Sequence, residues 1–313
     1  MYNKVHLIPK LSTLTSRNRA NTSVSFANGI WNTPVIPANM KCVIDFDMAE
    51  KLIDNNHFYI LHRFYNQQTI IDWVKSYSIR KKNSYISLSV GVKEEDIEML
   101  KKIKDNGNYV DCITIDIAHG HSVLVKDTID NIRDIFNDTF IIAGNVATAN
   151  GVEYLTECGA NAVKVGISMG ASCITYNKTG FGVPQFTSIL SCSERSTIPI
   201  IGDGGIRENG DIAKALVAGA TMVMVGGMFA SLSDSPSDII ETSSGMKKIY
   251  YGSASEFNKG HRKNIEGKRI EIEYTPMTYL EKYKEIKEDL QSAISYGGGT
   301  DLSCFNSVEY GYL

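Results

Sequence analysis

The chain has 313 residues, with 32 Lys and Arg against 35 Asp and Glu, a formal charge of −3, and 43% hydrophobic residues. That balance excludes a disordered chain, a polybasic nucleic-acid coat and a disulfide-stapled secreted scaffold, and the length is enough for a full core. Length alone suggests about two domains, a prior that barrels routinely break.

Residues 1–34 form a lead-in. Its opening, MYNKVHLIPKLSTLTSRNR, lacks a sustained apolar core with a small-residue cleavage pattern, so it does not read as a signal peptide. The chain also lacks an apolar run of about 18 residues. Cys42, Cys112, Cys158, Cys173, Cys192 and Cys304 form no CxxC pair. The expectation is a soluble, cytoplasmic protein with neither membrane nor nucleic-acid partner.

From Val35 onward, short β-branched runs alternate with helical patterns. The runs are Val35–Asn39, Phe58–Arg63, Ile86–Gly91, Cys112–Ala118, Phe140–Val146, Ala162–Ile167, Pro199–Gly204 and Met222–Gly227. Most are apolar throughout, as strands covered on both faces are. Between them, Ile97, Leu100 and Ile103, and then Val125, Ile129, Ile132 and Phe136, recur at helical spacing. An insert over 229–276 precedes a final helix, Met277–Ile294, and a Gly-rich tail over 295–313 is expected on the surface or against a neighbour. Eight βα units predict an α/β fold, a (β/α)8 TIM barrel in one domain with a flap insertion before the last helix. A doubly wound open sheet is the alternative, but no GxGxxG follows the first strand.

A hidden repeat supports the barrel. Residues 141–167 align without a gap on 201–227, with Ile141/Ile201, Gly144/Gly204, Gly159/Gly219, Ala160/Ala220, Val163/Val223, Val165/Val225 and Gly166/Gly226 identical. Each copy reads as strand, Gly-rich turn, helix ended by Gly-Ala, and a second strand ending in Gly.

The candidate chemistry follows the late strands. Gly166 with Gly170, Asp203-Gly204-Gly205, and Gly226-Gly227 are three glycine clusters, readable as tight turns or as a backbone cradle for a phosphate. Asp203 repels phosphate but suits ribose hydroxyls. Cys173 lies in a Gly/Ser/Thr/Asn-rich stretch that offers little packing, and reads as a nucleophile or as an ordinary loop cysteine. Thr175, two residues on, could relay a proton if an acid stands behind it, and Glu266 is a candidate acid. His119 and His121 with Asp116 suggest polar ligand contact, loop structure or, weakly, a metal. Asn39 and Asn145 suit amide recognition in the mouth, and His62-Arg63 ends strand two in the same way or reads only as a solvated strand cap. The stretch YYGSASEFNKGHRKNIEGKRIEIE is a mobile flap or a solvated hairpin.

IPANM, FYILHRF, ITIDIAHGHS, IIAGNVAT, the Cys-x-Thr loop with KTGFG, IGDGGIR, MVMVGGMFA, YYGSASEF and IEGKR together resemble the GMP reductase family, relatives of IMP dehydrogenase, over essentially the whole chain. The dehydrogenases carry an inserted regulatory domain and an Arg-Tyr flap, and neither is visible here. The resemblance implies NADPH-dependent reductive deamination of GMP to IMP and ammonia, in a homotetramer. It implies that Cys173 attacks purine C2 while Thr175 and Glu266 move protons. It assigns Asp203 to ribose, Gly204, Gly205, Gly226 and Gly227 to phosphate, and Met228, Gly252, Ser253 and Lys263 to the purine side. Asp116, Ala118, His119, Gly120, His121, Ser122 and Asn145 would border the nicotinamide, and Ser295 and Tyr296 would reach a neighbouring subunit's cofactor. The family usually reads GIGPGS where this chain has Ser168, Met169 and Ala171, so a phosphate-binding hydroxyl and a loop proline are missing. Ser168 replaces a glycine where dehydrogenase relatives bind a monovalent cation, which leaves cation use open. The alternatives are an IMP dehydrogenase lacking its regulatory domain and a non-catalytic nucleotide-binding protein.

Overall fold

A computed structural model of the chain describes residues 2–81 and 84–313; Met1, the first residue of the lead-in, lies outside it. Seven of the eight apolar runs pair as one parallel sheet. Its order is Val35–Pro37, Met222–Val225, Ile200–Asp203, Ala162–Val165, Phe140–Val146, Cys112–Asp116 and Ser87–Val90. Of these seven, the last in chain order, Met222–Val225, pairs with the first, Val35–Pro37, so the sheet curls round on itself, as in a TIM barrel, with helices outside. The strands form here because both faces can be covered. Every residue of Ser87–Val90, Ala162–Val165 and Met222–Val225 is buried. A fully buried Ile, Val or Leu stabilises the fold by about 1.5–3 kcal/mol, so the layer between sheet and helices carries the architecture.

The eighth run departs from expectation. Phe58, Tyr59, Ile60 and Leu61 are buried, but the pairing is one isolated bridge, Leu61 to Leu88. Leu61 N donates to Ser87 O at 3.1 Å, and Ser89 N donates to Leu61 O at 2.9 Å. His62 then accepts the Phe64 N–H on Nδ1 at 3.1 Å, a local side-chain bond that turns the chain away from the ladder. His62 is itself buried rather than a solvated cap, its ring stacked on Tyr65 at 4.4 Å.

Helices follow their stripes. Val123–Ile135 buries Val125, Thr128, Ile129 and Ile132, and Ser122 caps it by accepting from Leu124 N. Glu94–Asp105 buries Ile97, Leu100 and Ile103. The repeat is structural down to its hydrogen bonds. Gly159 and Gly219 take φ of 96° and 103°, and each lets the following alanine reach back into its helix. Ala160 N donates to Leu155 O and Ala220 N to Ala215 O, both at 3.1 Å.

The insert is built around a three-stranded antiparallel sheet, Ile239–Thr242, Gly245–Tyr251 and Arg269–Glu273. The final helix runs Tyr279–Tyr296, so Ser295 and Tyr296 belong to it and Gly297 caps it. Beyond it the tail folds back on the chain's own lead-in, Tyr310–Tyr312 pairing antiparallel with Val5–Leu7. Phe186 holds that seam, in edge contact with Tyr2, Tyr310 and Tyr312.

Candidate active site

Three carboxyl-terminal strand ends converge on one polar network. Asp116 ends its strand, Asn145 lies one residue short of the end of the next, and Asp203 ends the Ile200–Asp203 strand. Asn145 Nδ2 donates to Asp203 Oδ2 at 2.8 Å and to Gly166 O at 2.9 Å. Lys164, between them in the sheet, donates to Asp116 Oδ1 at 2.8 Å and to Asp203 Oδ2 at 3.1 Å. Both bonds at Asp203 fall on Oδ2, which leaves Oδ1 to accept from a ligand hydroxyl. Asn39 joins from two residues beyond the Val35–Pro37 strand, donating to Ser89 Oγ at 3.0 Å. Sequence reasoning missed Lys164, whose only signal is a lysine inside the apolar run AVKV. Arg63 donates from Nε to Asp116 O at 3.1 Å, so it braces this network. Burial, and then the charge of Lys41, pushes the adjacent His62 down to about 3, which keeps its ring neutral.

The cysteine loop leaves the Ala162–Val165 strand at Gly166 and is stitched to the insert. Ile174 N donates to Glu266 O and Lys268 N to Ser172 O, both at 2.8 Å, around a Cys173–Gly267 bridge. That stitching brings the side chains together. Thr175 Oγ1 donates to Glu266 Oε2 at 2.8 Å and lies 3.2 Å from Cys173 Sγ. Cys173 is half-buried. The other five thiols are held protonated by burial, Cys42 and Cys192 pushed up to about 11 and Cys112, Cys158 and Cys304 also raised.

Two of the glycine clusters meet directly. A Cβ on Gly166 would lie 1.9 Å from Asp203 O, and one on Gly204 would lie 3.2 Å from Gly170 N. The third, Gly226-Gly227, follows the neighbouring strand end. A Cβ on Gly226 would lie 2.4 Å from the Tyr250 hydroxyl, whereas Gly227 faces open space. Tyr250, on the insert, is a second residue missed from sequence. Burial raises its phenol well above the usual range, so the hydroxyl stays protonated, and it donates to Met40 Sδ at 3.6 Å.

The remaining expected residues are distributed less evenly. Gly252 packs on Gly267 and on Ser172 O, where a Cβ would come within 3.1 and 3.3 Å. Ser253 O accepts from Asn258 Nδ2 at 2.8 Å. Lys263 is exposed, and Met228 lines a cavity of about 470 Å³ with Arg207, Asn209, Lys282 and Glu285. At the rim, Ala118, His119 and His121 are exposed, and the His121 ring lies 4.9 Å from that of Tyr154. Gly120 N donates to Asn145 O at 2.7 Å, and a Cβ there would strike Gly144 at 2.8 Å. Ser295 Oγ lies 2.8 Å from Ser12 Oγ, and Tyr296 is exposed with Arg17 over its ring at 5.1 Å.

Ser168 shapes the loop in a way specific to this chain. It holds a φ of 76°, unusual for a side-chain-bearing residue, and its Oγ accepts from Tyr176 N at 2.8 Å. That bond spans Cys173 and Thr175. Ser168→Ala keeps the strained backbone and removes the acceptor; a net bond worth about 0.5–1.5 kcal/mol predicts a several-fold lower kcat/KM. Steady-state kinetics with an unchanged kcat/KM would show the loop to be held by the insert alone.

Residues 1–306 match the sequence profile of the IMP dehydrogenase / GMP reductase domain. The chain is 44% identical to the GMP reductase of Staphylococcus carnosus over 311 residues, 99% of this chain and 94% of that protein. It is 44% identical to that of Mesoplasma florum over 312 residues, 99% and 96% of the two chains. The GMP reductase of Bacillus subtilis is 42% identical over 311 residues, 99% and 94%. A full-length match of this kind, on a site whose cysteine, threonine and glutamate meet, leaves one conclusion: the chain belongs to the IMP dehydrogenase / GMP reductase family, on its GMP reductase side.

Proposed function

We propose that this site converts GMP to IMP and ammonia by reductive deamination with NADPH, and the observation that carries the reading is the Cys173–Thr175–Glu266 chain. The Cys173 sulfur adds to purine C2, forming a C–S bond. The amine takes a proton passed from Glu266 through the Thr175 hydroxyl, the C–N bond breaks, and ammonia leaves a thioimidate on Cys173. NADPH, when bound, supplies a hydride to C2. The C–S bond then breaks with its electron pair returning to sulfur, and IMP departs.

Asp203 Oδ1 receives the ribose hydroxyls, and the bare backbone at Gly204, Gly205, Gly226 and Gly227 approaches the phosphate, with Met228, Gly252, Ser253 and Lys263 on the purine side. The rim fits a polar, ribose-bearing cofactor. Asp116, Asn145, Ala118, His119, Gly120 and Ser122 would border it, and His121, held beside Tyr154, offers a ring face. Tyr296 is exposed with Arg17 over its ring and Ser295 beside it is half-buried, which suits a homotetramer in which they meet a neighbour's cofactor. We read the curled sheet as a closed eight-stranded barrel in one domain, with Phe58–Arg63 as the weakest stave and the insert as its flap. A cytoplasmic location suits these substrates.

The test is direct. Purified protein with GMP and NADPH should oxidise the cofactor and release one ammonia per NADPH; no oxidation over a wide GMP range overturns the reading, and oxidation without ammonia overturns the mechanism. Ala171 is exposed on the same loop, where the family carries a serine. Ala171→Ser should lower the KM for GMP several-fold with kcat unchanged, a gain of about 1 kcal/mol from one added hydrogen bond. An unchanged KM would mean that Tyr250 or Ser172 already supplies that donor.

A further inference from the structure

Among the described residues, Lys164 is the one buried cation in the site, with 2% of its side chain exposed. Its ammonium lies between carboxylates from two different strands, 2.8 Å from Asp116 Oδ1 and 3.1 Å from Asp203 Oδ2, with Asn39 Oδ1 at 3.5 Å. Its strand lies tight against the next one, since a Cβ on Gly144 would lie 2.7 Å from Lys164 Cβ and 2.8 Å from Lys164 O. Burial alone would strip the proton from such a lysine. The charges of Asp116 and Asp203 outweigh burial and raise its pKa above the ordinary value. Burial would likewise raise the Asp116 carboxyl, but the Lys164 charge and hydrogen bond hold it below the usual range.

Stability does not explain this arrangement. Desolvating an ammonium and two carboxylates costs several kcal/mol per ion, and apolar residues of similar volume usually do as well. The surrounding positions of the strand, Ala162, Val163 and Val165, are fully buried and apolar. A methionine at 164 would suit that strand if packing were the only demand.

We propose that Lys164 is a positioning residue that couples the two ligands, because one ammonium fixes both the carboxylate offered to the nucleotide ribose, Asp203, and the carboxylate on the cofactor side, Asp116. This rests on the assignment of those two carboxylates in the function proposed above. A ligand that orders either carboxylate orders the ammonium, and through it the other carboxylate. Such coupling is reciprocal, so each ligand tightens the other by the same factor.

The experiment uses the full chain and the unreactive pair GMP and NADP+. Calorimetric titration of wild-type protein should show each ligand tightening the other by about fivefold or more. In Lys164→Met that ratio should fall to one, and Lys164→Arg, which keeps the charge, should restore part of it. A second variant covers the case in which Lys164→Met does not fold. Asp116→Asn keeps the Lys164–Asp203 pair, and should still weaken GMP binding about fivefold with no cofactor present. A merely structural lysine would lower the melting temperature and leave the ratio intact. A wild-type ratio of one, an unchanged ratio in folded Lys164→Met, or GMP affinity within about twofold of wild type in Asp116→Asn overturns the coupling. Turnover of GMP by wild-type protein is measured first. If it fails, the function is wrong; if it succeeds and the ratios do not move, only the coupling is wrong.

Discussion

Replacing Glu266 by Gln is expected to leave GMP affinity within about twofold of wild type while slowing ammonia release by about 10²–10⁴, the usual range for a lost general acid. The substitution conserves shape, so Thr175 Oγ1 can keep an acceptor where Glu266 Oε2 now lies at 2.8 Å. What is lost is a carboxyl able to give up a proton. Thr175→Val removes the relay between that carboxyl and the atoms near Cys173 Sγ, 3.2 Å from the hydroxyl. If the two residues act as one chain, the double variant should be no slower than the slower single variant, since groups that work as a unit are not additive. Single-turnover assays of ammonia after mixing enzyme, GMP and NADPH measure this step alone. Wild-type ammonia release in Glu266→Gln would remove the acid role, and additive losses in the double variant would separate the two residues.

The acid also shows how far a sequence can be read. Cys173 stands out by position, because a cysteine in a stretch of Gly, Ser, Thr and Asn has little packing to account for it. Its neighbour Thr175 is visible for the same reason. Glu266 lies 91 residues further on; it was legible as a candidate acid, but nothing local announces that a backbone bridge from Cys173 to Gly267 will bring it back to Thr175. Periodicity located seven strands well because they are covered on both faces, a demand that shows in most of their residues. Phe58–Arg63 met the same demand and is just as buried, yet pairing also depends on the residues at the end of a run. There the His62 bond to Phe64 N–H ends the ladder after one bridge. Lys164 was illegible for a physical reason too. A lysine in a strand normally signals solvent, and only the spatial meeting of Asp116 and Asp203 makes its burial tolerable. Ser295 and Tyr296 were placed in an irregular tail because of the glycines after them, but Gly297 is the cap of their helix rather than a breaker within it.

Two glycines that look alike in sequence should behave in opposite ways when each becomes alanine. At Gly166 the new methyl would lie 1.9 Å from Asp203 O, and the backbone φ there is 153°. The obstacle is a backbone carbonyl at the end of a strand paired on both sides, so it cannot yield as a flexible side chain would. Any shift also moves Asp203, and with it the bonds from Lys164 and Asn145. Gly166→Ala should therefore lower stability by about 2–4 kcal/mol, in the range for strain and overpacking at constrained sites, and lose nearly all turnover. At Gly227 a new methyl meets nothing within 4 Å, and the residue opens a short helix, Gly227–Ala230. Alanine there should keep or slightly raise the melting temperature, since it favours helix by up to about 1 kcal/mol over glycine. If bare backbone at this position is what lets the phosphate approach, the same variant should raise the KM for GMP about tenfold or more with kcat nearly unchanged, the signature of lost uniform binding. Thermal melts and steady-state kinetics on the pair separate a glycine kept for the fold from one kept for the ligand. A wild-type KM in Gly227→Ala would move the phosphate away from Gly227, and a stable, active Gly166→Ala would mean that the loop has a second way to leave the sheet.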